Sequence, residues 1–441
     1  MTQTPRQRFP YGFSIYAPLG CALLAGLALA GCGDSGNDEG SGGTGGDGAT
    51  GGTQNGGTAG VAGSSGNGGA SGSTSGGSGV GGSGNTGNTG AGGSAGSAGA
   101  GGSGGGQPSG SVPLFVAQGH LGRTLISCDD GQTWTADRSD DDQHTCWSQD
   151  ANDIECDHQS TAGRGLVYVP STADEPGTFV TTFGWGQPGS IRTSTDGVTW
   201  TPTLTGKTFA MLAYGSGTLM AGAHVPMRSS DTGVQWENTA DPMLSVWNAR
   251  TIGYAAHGNG LFVVVGGDGG QQDIVLSPDA GQSWFHPDTL PGECGANVRG
   301  VAYGAGAIVV MGESTVCHST DGGKTFIAQA MGANVTSTVL WDGSRFIAFS
   351  QGKAHTSSDG ASWNTTDLSQ NIQIGAVAVS PEGTFVGVRG GWQVWYSKQE
   401  FYRSTDGINW TTLPSSAFNG GHPINFMTFG YGAPSSACPA Q

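Results

Sequence analysis

Ser127-Cys-Asp-Asp-Gly-Gln-Thr-Trp134 is the stretch on which the reading of this chain turns, because it recurs. Full-length copies are Ser229-Ser-Asp-Thr-Gly-Val-Gln-Trp236, Ser277-Pro-Asp-Ala-Gly-Gln-Ser-Trp284 and Ser319-Thr-Asp-Gly-Gly-Lys-Thr-Phe326. Copies one residue shorter are Ser194-Thr-Asp-Gly-Val-Thr-Trp200, Ser357-Ser-Asp-Gly-Ala-Ser-Trp363 and Ser404-Thr-Asp-Gly-Ile-Asn-Trp410. Serine and aspartate side chains hydrogen-bond the backbone of a tight turn, and glycine supplies positive φ. The terminal aromatic is expected to tuck under the turn and pack between neighbouring sheets. Each copy therefore reads as a clamp on a β-hairpin. Its aspartate (Asp129, Asp196, Asp231, Asp279, Asp321, Asp359 or Asp406) is assigned a structural role and not a catalytic one.

Between the clamps a second pattern repeats. Arg299-Gly-Val-Ala-Tyr-Gly-Ala-Gly-Ala-Ile-Val-Val-Met-Gly312 reads as strand, glycine turn, strand, and 209–222, 253–266 and 336–350 match it. Continuous apolar runs fit strands buried on both faces. Each unit then holds two such strands, a third ending at the clamp, and a fourth starting at its aromatic. A period of about 40 residues with four strands describes a propeller blade. Val112 to Asp137 lacks an inner strand, whereas Ile424-Asn-Phe-Met-Thr-Phe-Gly-Tyr-Gly432 is an inner strand followed by nothing. Joined, the two ends make one composite blade. The expected fold is all-β, a seven-bladed propeller of four-stranded antiparallel blades over 112–441 with no open edge.

The pattern Ser-x-Asp-x-Gly-x-x-aromatic resembles the Asp box, or BNR repeat. That resemblance covers about residues 112–441, and the superfamily includes sialidases, xyloglucan-processing hydrolases, sortilin-like receptors and photosystem II assembly factors. The repeat does not choose among them, since function is grafted onto a shared scaffold. Sialidases carry an Arg-Ile-Pro motif and six blades; this chain has no Arg-Ile-Pro. A sialidase-like or other glycoside hydrolase remains the alternative, with Glu293 and Glu400 among the few available glutamates. Catalytic residues are not identifiable.

The front of the chain addresses it outward. Residues 1–31 carry Arg6 and Arg8, then a short apolar run from Cys21 to Ala30, as a secretory signal does. Leu29-Ala30-Gly31-Cys32 resembles the lipobox of bacterial lipoproteins, which implies acylation (palmitate among the chains) at Cys32 and anchoring in the cell envelope, at the outer membrane or cell surface. An ordinary cleaved signal with an incidental cysteine is the other reading. Residues 32–111 are almost wholly Gly, Ser, Thr, Ala and Asn, with no apolar face to bury. They read as a disordered tether spanning about 50 Å as a random coil.

Six cysteines follow the tether. Proximity suggests Cys146–Cys156 within one insertion and Cys294–Cys317 within one blade, leaving Cys128–Cys438 to clasp the composite blade. The formal net charge is −17. Of 33 acidic residues only Asp34, Asp38, Glu39 and Asp47 precede residue 112. Such a surface repels phosphate backbones and excludes nucleic acid as a partner.

Sites are expected on the face opposite the clamps, where loops are longest. Trp147, Trp185, Trp247, Trp392 and Trp395, with Tyr396, map there and offer flat platforms for a glycan or protein ligand. Capping of blade ends is the plainer role for these rings. The remaining non-clamp tryptophan, Trp341, fits the inner-strand position held elsewhere by Tyr214 and Tyr303. No cofactor is expected. The insertion 135–163 brings seven aspartates (Asp137, Asp140, Asp141, Asp142, Asp150, Asp153, Asp157) that could hold Ca²⁺, though no regular calcium loop is present and a solvated surface is the simpler reading. No other metal site is expected. Arg164, Arg250 and Arg299 lie at or before inner strands, where they could grip a carboxylate together or pair separately with the abundant acids.

Overall fold

The computed structural model describes residues 107–139, 162–172, 177–184, 189–222, 226–239, 252–268, 271–295, 297–390, 400–418 and 423–440. All belong to the unit Ser83–Gln441. Lipidation at Cys32, residues 32–106 of the tether and the Cys146–Cys156 pairing lie outside them.

The described chain forms seven antiparallel sheets. The first joins the two ends of the propeller region: Ile424–Gly432 is innermost, followed outward by Val112–Gly119, Thr124–Ser127 and Thr135–Arg138. Val112 pairs with Gly432 and Gly119 with Ile424, so the C-terminal strand fills the inner position that the N-terminal portion lacks. Blades 2 to 7 follow in order, with innermost strands Gly163–Val169, Met211–Gly215, Ile252–Gly258, Val298–Gly304, Leu340–Trp341 and Ile374–Val379. Inner strands of neighbouring blades lie side by side, and the last blade meets the composite one, closing the wheel. Six blades have four strands. In blade 4 the outer strand shrinks to one bridge, Phe285 against Leu276, because the chain after it turns to pair Thr289 with Thr325 of blade 5.

The residues account for this layering. Inner pairs such as Ala307–Gly312 and Ile374–Val379 are apolar throughout and buried throughout, whereas outer strands such as Asn364–Asp367 are polar and exposed. Each apolar cluster crosses an interface between blades: Trp134 of blade 1 packs on Phe401 of blade 7 at 4.8 Å between centroids, and Trp410 of blade 7 on Phe349 of blade 6 at 5.5 Å. The core is thus a set of radial seams. Trp341 does take the inner-strand position of Tyr214 and Tyr303, with its ring against Gly304, where a Cβ would sit 2.2 Å from it.

Two disulfides are formed. Cys128–Cys438 ties the clamp turn of blade 1 to the segment beyond the innermost strand, and Cys294–Cys317 ties blade 5 to the segment entering it. Both match the expected pairings.

Candidate binding face

Antiparallel blades sort their connections onto two faces. Turns joining the first strand to the second and the third to the fourth share one face; second-to-third turns and crossings between blades share the other.

The first face carries the seven serine-to-aromatic turns, and their hydrogen bonds are spent internally. In each, the serine hydroxyl donates to the aspartate Oδ1, at 2.7–3.0 Å, and accepts the glycine N–H. The carboxylate accepts further backbone N–H groups, Lys324 and Thr325 donating to Asp321 at 3.0 Å each. The hydroxyl and N–H of Thr325 hold the Asp321 carboxyl down at about 2. Burial pushes Asp406 up, but bonds from Asn409 and Ile408 outweigh it and hold it at about 2 as well. These aspartates lie below the usual carboxylate range because turn N–H groups solvate the charge. Hydrogen bonds from the turns favour the ionised form of these aspartates, which suits a structural role.

The opposite face differs at the inner strands. Five of the seven ladders slip by one residue near the end where the chain enters the inner strand from the previous blade. Arg164 is left over between Gly163 and Gly165, Arg299 between Val298 and Gly300, and Asn425 between Ile424 and Phe426; Gly253 is the extra residue of blade 4. A bulge re-aims one side chain out of the alternation. Here three of the re-aimed residues are polar.

Burial raises the Tyr254 phenol, and the charges of Arg299 and Arg164 pull it back down. Tyr254 sits on blade 4, Arg299 on blade 5 and Arg164 on blade 2. Blades 2 and 4 are not neighbours in the ring. Burial drives the Arg164 guanidinium pKa below its usual value, while the residue keeps some accessible surface. Arg299 holds Glu313 at 3.4 Å and donates from Nε to the Val335 carbonyl. Arg299 is therefore paired separately, with Glu313. Arg250 lies outside the described residues.

So do Trp147, Trp185, Trp247, Trp392, Trp395 and Tyr396. The strand ends that flank their segments nevertheless depart from this second face. Of the seven aspartates considered for Ca²⁺, only Asp137 is described. Both its oxygens accept from buried Arg123, Nε at 2.8 Å and Nη2 at 2.6 Å, so it is not free to ligate a cation. Among the described residues no group of three or more His, Cys, Asp or Glu side chains could hold a metal.

The carboxylates considered for hydrolysis are dispersed. Glu293 is exposed between blades 4 and 5. Glu400, in blade 7, accepts the Tyr402 hydroxyl at 2.9 Å with Arg389 at 3.7 Å. Tyr402 is buried, and burial together with the bond to Glu400 pushes its phenol far up, opposite to what a nucleophile needs. The bulge register at the channel had no signal in composition or motif. Hydrogen-bond pairing across two strands defines it, and a single strand's sequence does not.

No family model matches the chain, and no curated protein matches it. Among solved structures it is similar to YCF48 bound to D1 peptide, with 16% identity, TM-score 0.41, and 62% of this chain and 96% of that one covered. It is similar to a protein from Lactobacillus plantarum with 11% identity, TM-score 0.41, and coverage of 72% and 99%. The Aleuria aurantia lectin in complex with Fucalpha1-6GlcNAc follows at 10% identity, TM-score 0.32, and coverage of 59% and 96%. Likenesses this distant transfer no ligand, partner or activity; the described residues form a seven-bladed β-propeller.

Proposed function

We propose that the chain is an exported lipoprotein that displays an Asp-box propeller as a binding domain. Residues 1–31 are its signal, Cys32 carries the acyl chains, 32–111 are the tether, and 112–441 the propeller. Its ligand is a protein or a glycan held on the face opposite the seven clamp turns.

One observation carries this reading. The serine and aspartate groups of the clamp turns are spent within the turns, whereas on the other face the inner strands bulge and take Arg164, Arg299 and Asn425 off the ladder. Among the described residues, Arg164 Nε and Asn425 Oδ1 are buried without a hydrogen-bond partner. Buried polar groups without partners cost stability in the free chain, which a ligand that meets them would recover. The tryptophan-bearing segments leave the strands at that same end. Two disulfides fit an oxidising compartment.

The mature chain, displayed with its lipid, is tested against a glycan array and in a crosslinking pull-down from envelope extract. Capture that is lost in a W392A/W395A variant with unchanged melting temperature supports the reading. Capture that survives it, while substitutions in the clamp turns abolish it, places the ligand on the wrong face and ends the proposal. Metabolic labelling with a palmitate analogue tests the anchor separately: label must be incorporated by the wild type and lost in Cys32→Ser.

A further inference from the structure

Both ends of the propeller leave it on the clamp face. Val112 opens the second strand of blade 1 opposite Gly432, the last residue of the innermost strand. A little further along, Phe115 pairs with Ser127, which opens the clamp turn of that blade. Past Gly432 the tail stays on the same face. The Ala433 N–H donates to the Thr195 carbonyl, in the clamp turn of blade 2, at 2.7 Å, and Cys438 bonds Cys128 in the clamp turn of blade 1. The far ends of the two strands, Gly119 and Ile424, lie at the opposite face, where the chain crosses between blades. A pull on residue 111 from the tether, against a ligand held on the opposite face, therefore runs along the strands of blade 1 and not across them.

We propose that the composite blade is a tension coupling, which carries load between the tether and the opposite face. The inference rests on the display function proposed above, since a surface anchor is what pulls on residue 111. Hydrogen bonds of an antiparallel ladder stand perpendicular to its strands. A pull along the strand loads them together, whereas a sideways pull at one end opens them one after another. Val112–Gly119 is paired over its whole length with Ile424–Gly432 on one side, and from Phe115 to Gln118 with Thr124–Ser127 on the other. Both ladders must shear before the tether can draw it out. The innermost strand is pinned in turn. The Tyr168 hydroxyl of blade 2 donates to the Tyr431 carbonyl at 2.9 Å, and the rings of Phe115 and Phe429, paired across the ladder, meet edge-on at 5.1 Å. The Cys128–Cys438 bond adds a stop. When residues 112–127 yield, the load reaches Cys128 and passes through a covalent bond into the tail, which the Thr195 carbonyl holds to blade 2.

The test is single-molecule force spectroscopy on the full mature chain, held by its amino terminus. The second handle is a click-reactive residue placed at one of two exposed positions. Asn371 lies at the opposite face, on the crossing between blades 6 and 7, and Glu382 lies on the clamp-face hairpin of blade 7. Pulled from Asn371, the wheel should rupture at about twice the force, or more, that it needs when pulled from Glu382. Equal forces, or a weaker Asn371 geometry, overturn the coupling. In the Asn371 geometry the wild type should break in two events, a short release of residues 112–127 and then a second at higher force. Cys128→Ser with Cys438→Ser should merge them into one longer release. The same sequence of events in both chains overturns the stop, and the comparison of handles needs no cysteine change. A wild type that takes up no palmitate label loses the proposed anchor but keeps its force ratio. Equal forces in a labelled chain remove the coupling and leave the anchor standing.

Discussion

The serine of each clamp turn has a single hydroxyl proton, and its destination explains why the motif needs both Ser and Asp. In blade 5, Ser319 gives it to Asp321 at 2.8 Å and takes the Gly323 N–H at 3.0 Å, so one side chain bridges turn carboxylate and turn backbone. Replacing Asp321 by Ala strands the Lys324 and Thr325 N–H groups, at a cost of about 1–2 kcal/mol measurable by urea titration. Acid must also unfold the wheel in two windows. Burial holds His257 at about 4, against an ordinary 6.5, with Ser216 Oγ 3.1 Å from its Nε2. Its depressed pKa means the unfolded chain binds the proton first; the contribution is complete above pH 6.5 and is lost as pH falls towards 4. Asp321 and Asp406, held at about 2 against 3.8, keep their contribution above pH 4 and lose it as pH falls through 2. His257→Tyr copies the residue found at the matching position in Tyr168, Tyr214 and Tyr303, and should flatten the upper window alone in a series of melting temperatures taken from pH 7.5 to 2. A melting curve still sloping between pH 6.5 and 4 in that variant would show that other groups set it.

At the scale of the element, a clamp turn is also a wedge against the preceding blade. Gly323 has φ of +84°, and a Cβ there would lie 2.1 Å from Leu276 of blade 4; Gly131, at +81°, would strike Val386 of blade 7 at 2.2 Å. Gly323→Ala therefore meets two penalties, a left-handed backbone and an overpacked seam. Together they amount to about 2–5 kcal/mol, readable as a fall in the chemical-denaturation midpoint. Arginines finish the wedge from the other side: Arg403 donates to the Asp130 carbonyl at 2.7 Å and Arg345 to that of Asp406 at 2.6 Å, each reaching from one blade to the turn of the next. Trp410, between Phe349 and Phe385, binds its own turn through Nε1 to the Gly407 carbonyl at 3.0 Å. Trp410→Ala empties that seam and should cost about 3–5 kcal/mol, with loss of near-ultraviolet dichroism from the aromatic contacts as the check. The half-buried Trp363, 6.5 Å from Phe346, should cost less.

At the scale of the whole molecule, the ring is closed by two unlike devices. One is the ladder between Ile424–Gly432 and Val112–Gly119, the other the Cys128–Cys438 bond across a separation of 310 residues. Chain-entropy arguments give that bond about 5–6 kcal/mol as an upper bound, against about 3 kcal/mol for Cys294–Cys317 with its separation of 23. Cys128→Ser with Cys438→Ser should accordingly lower the melting temperature more than the Cys294→Ser, Cys317→Ser pair. Equal losses would mean that the closing ladder holds the ends together in the unfolded ensemble as well. Much of this architecture was legible beforehand, since the clamp is local: Ser, Asp, Gly and an aromatic at fixed offsets make a hairpin whatever surrounds them, and seven such hairpins at nearly regular intervals leave a wheel as the economical way to bury their inner strands. The composite blade and both described disulfides followed from counting strands and cysteines. The bulges of the inner strands did not. Arg164 and Arg299 lie 135 residues apart, and nothing in any one strand says that its ladder will slip by a residue. Local turn chemistry is written into consecutive residues and so belongs to the sequence; the slip that takes Arg164, Arg299 and Asn425 off their ladders depends on pairing between strands, which exists only once the sheets have formed.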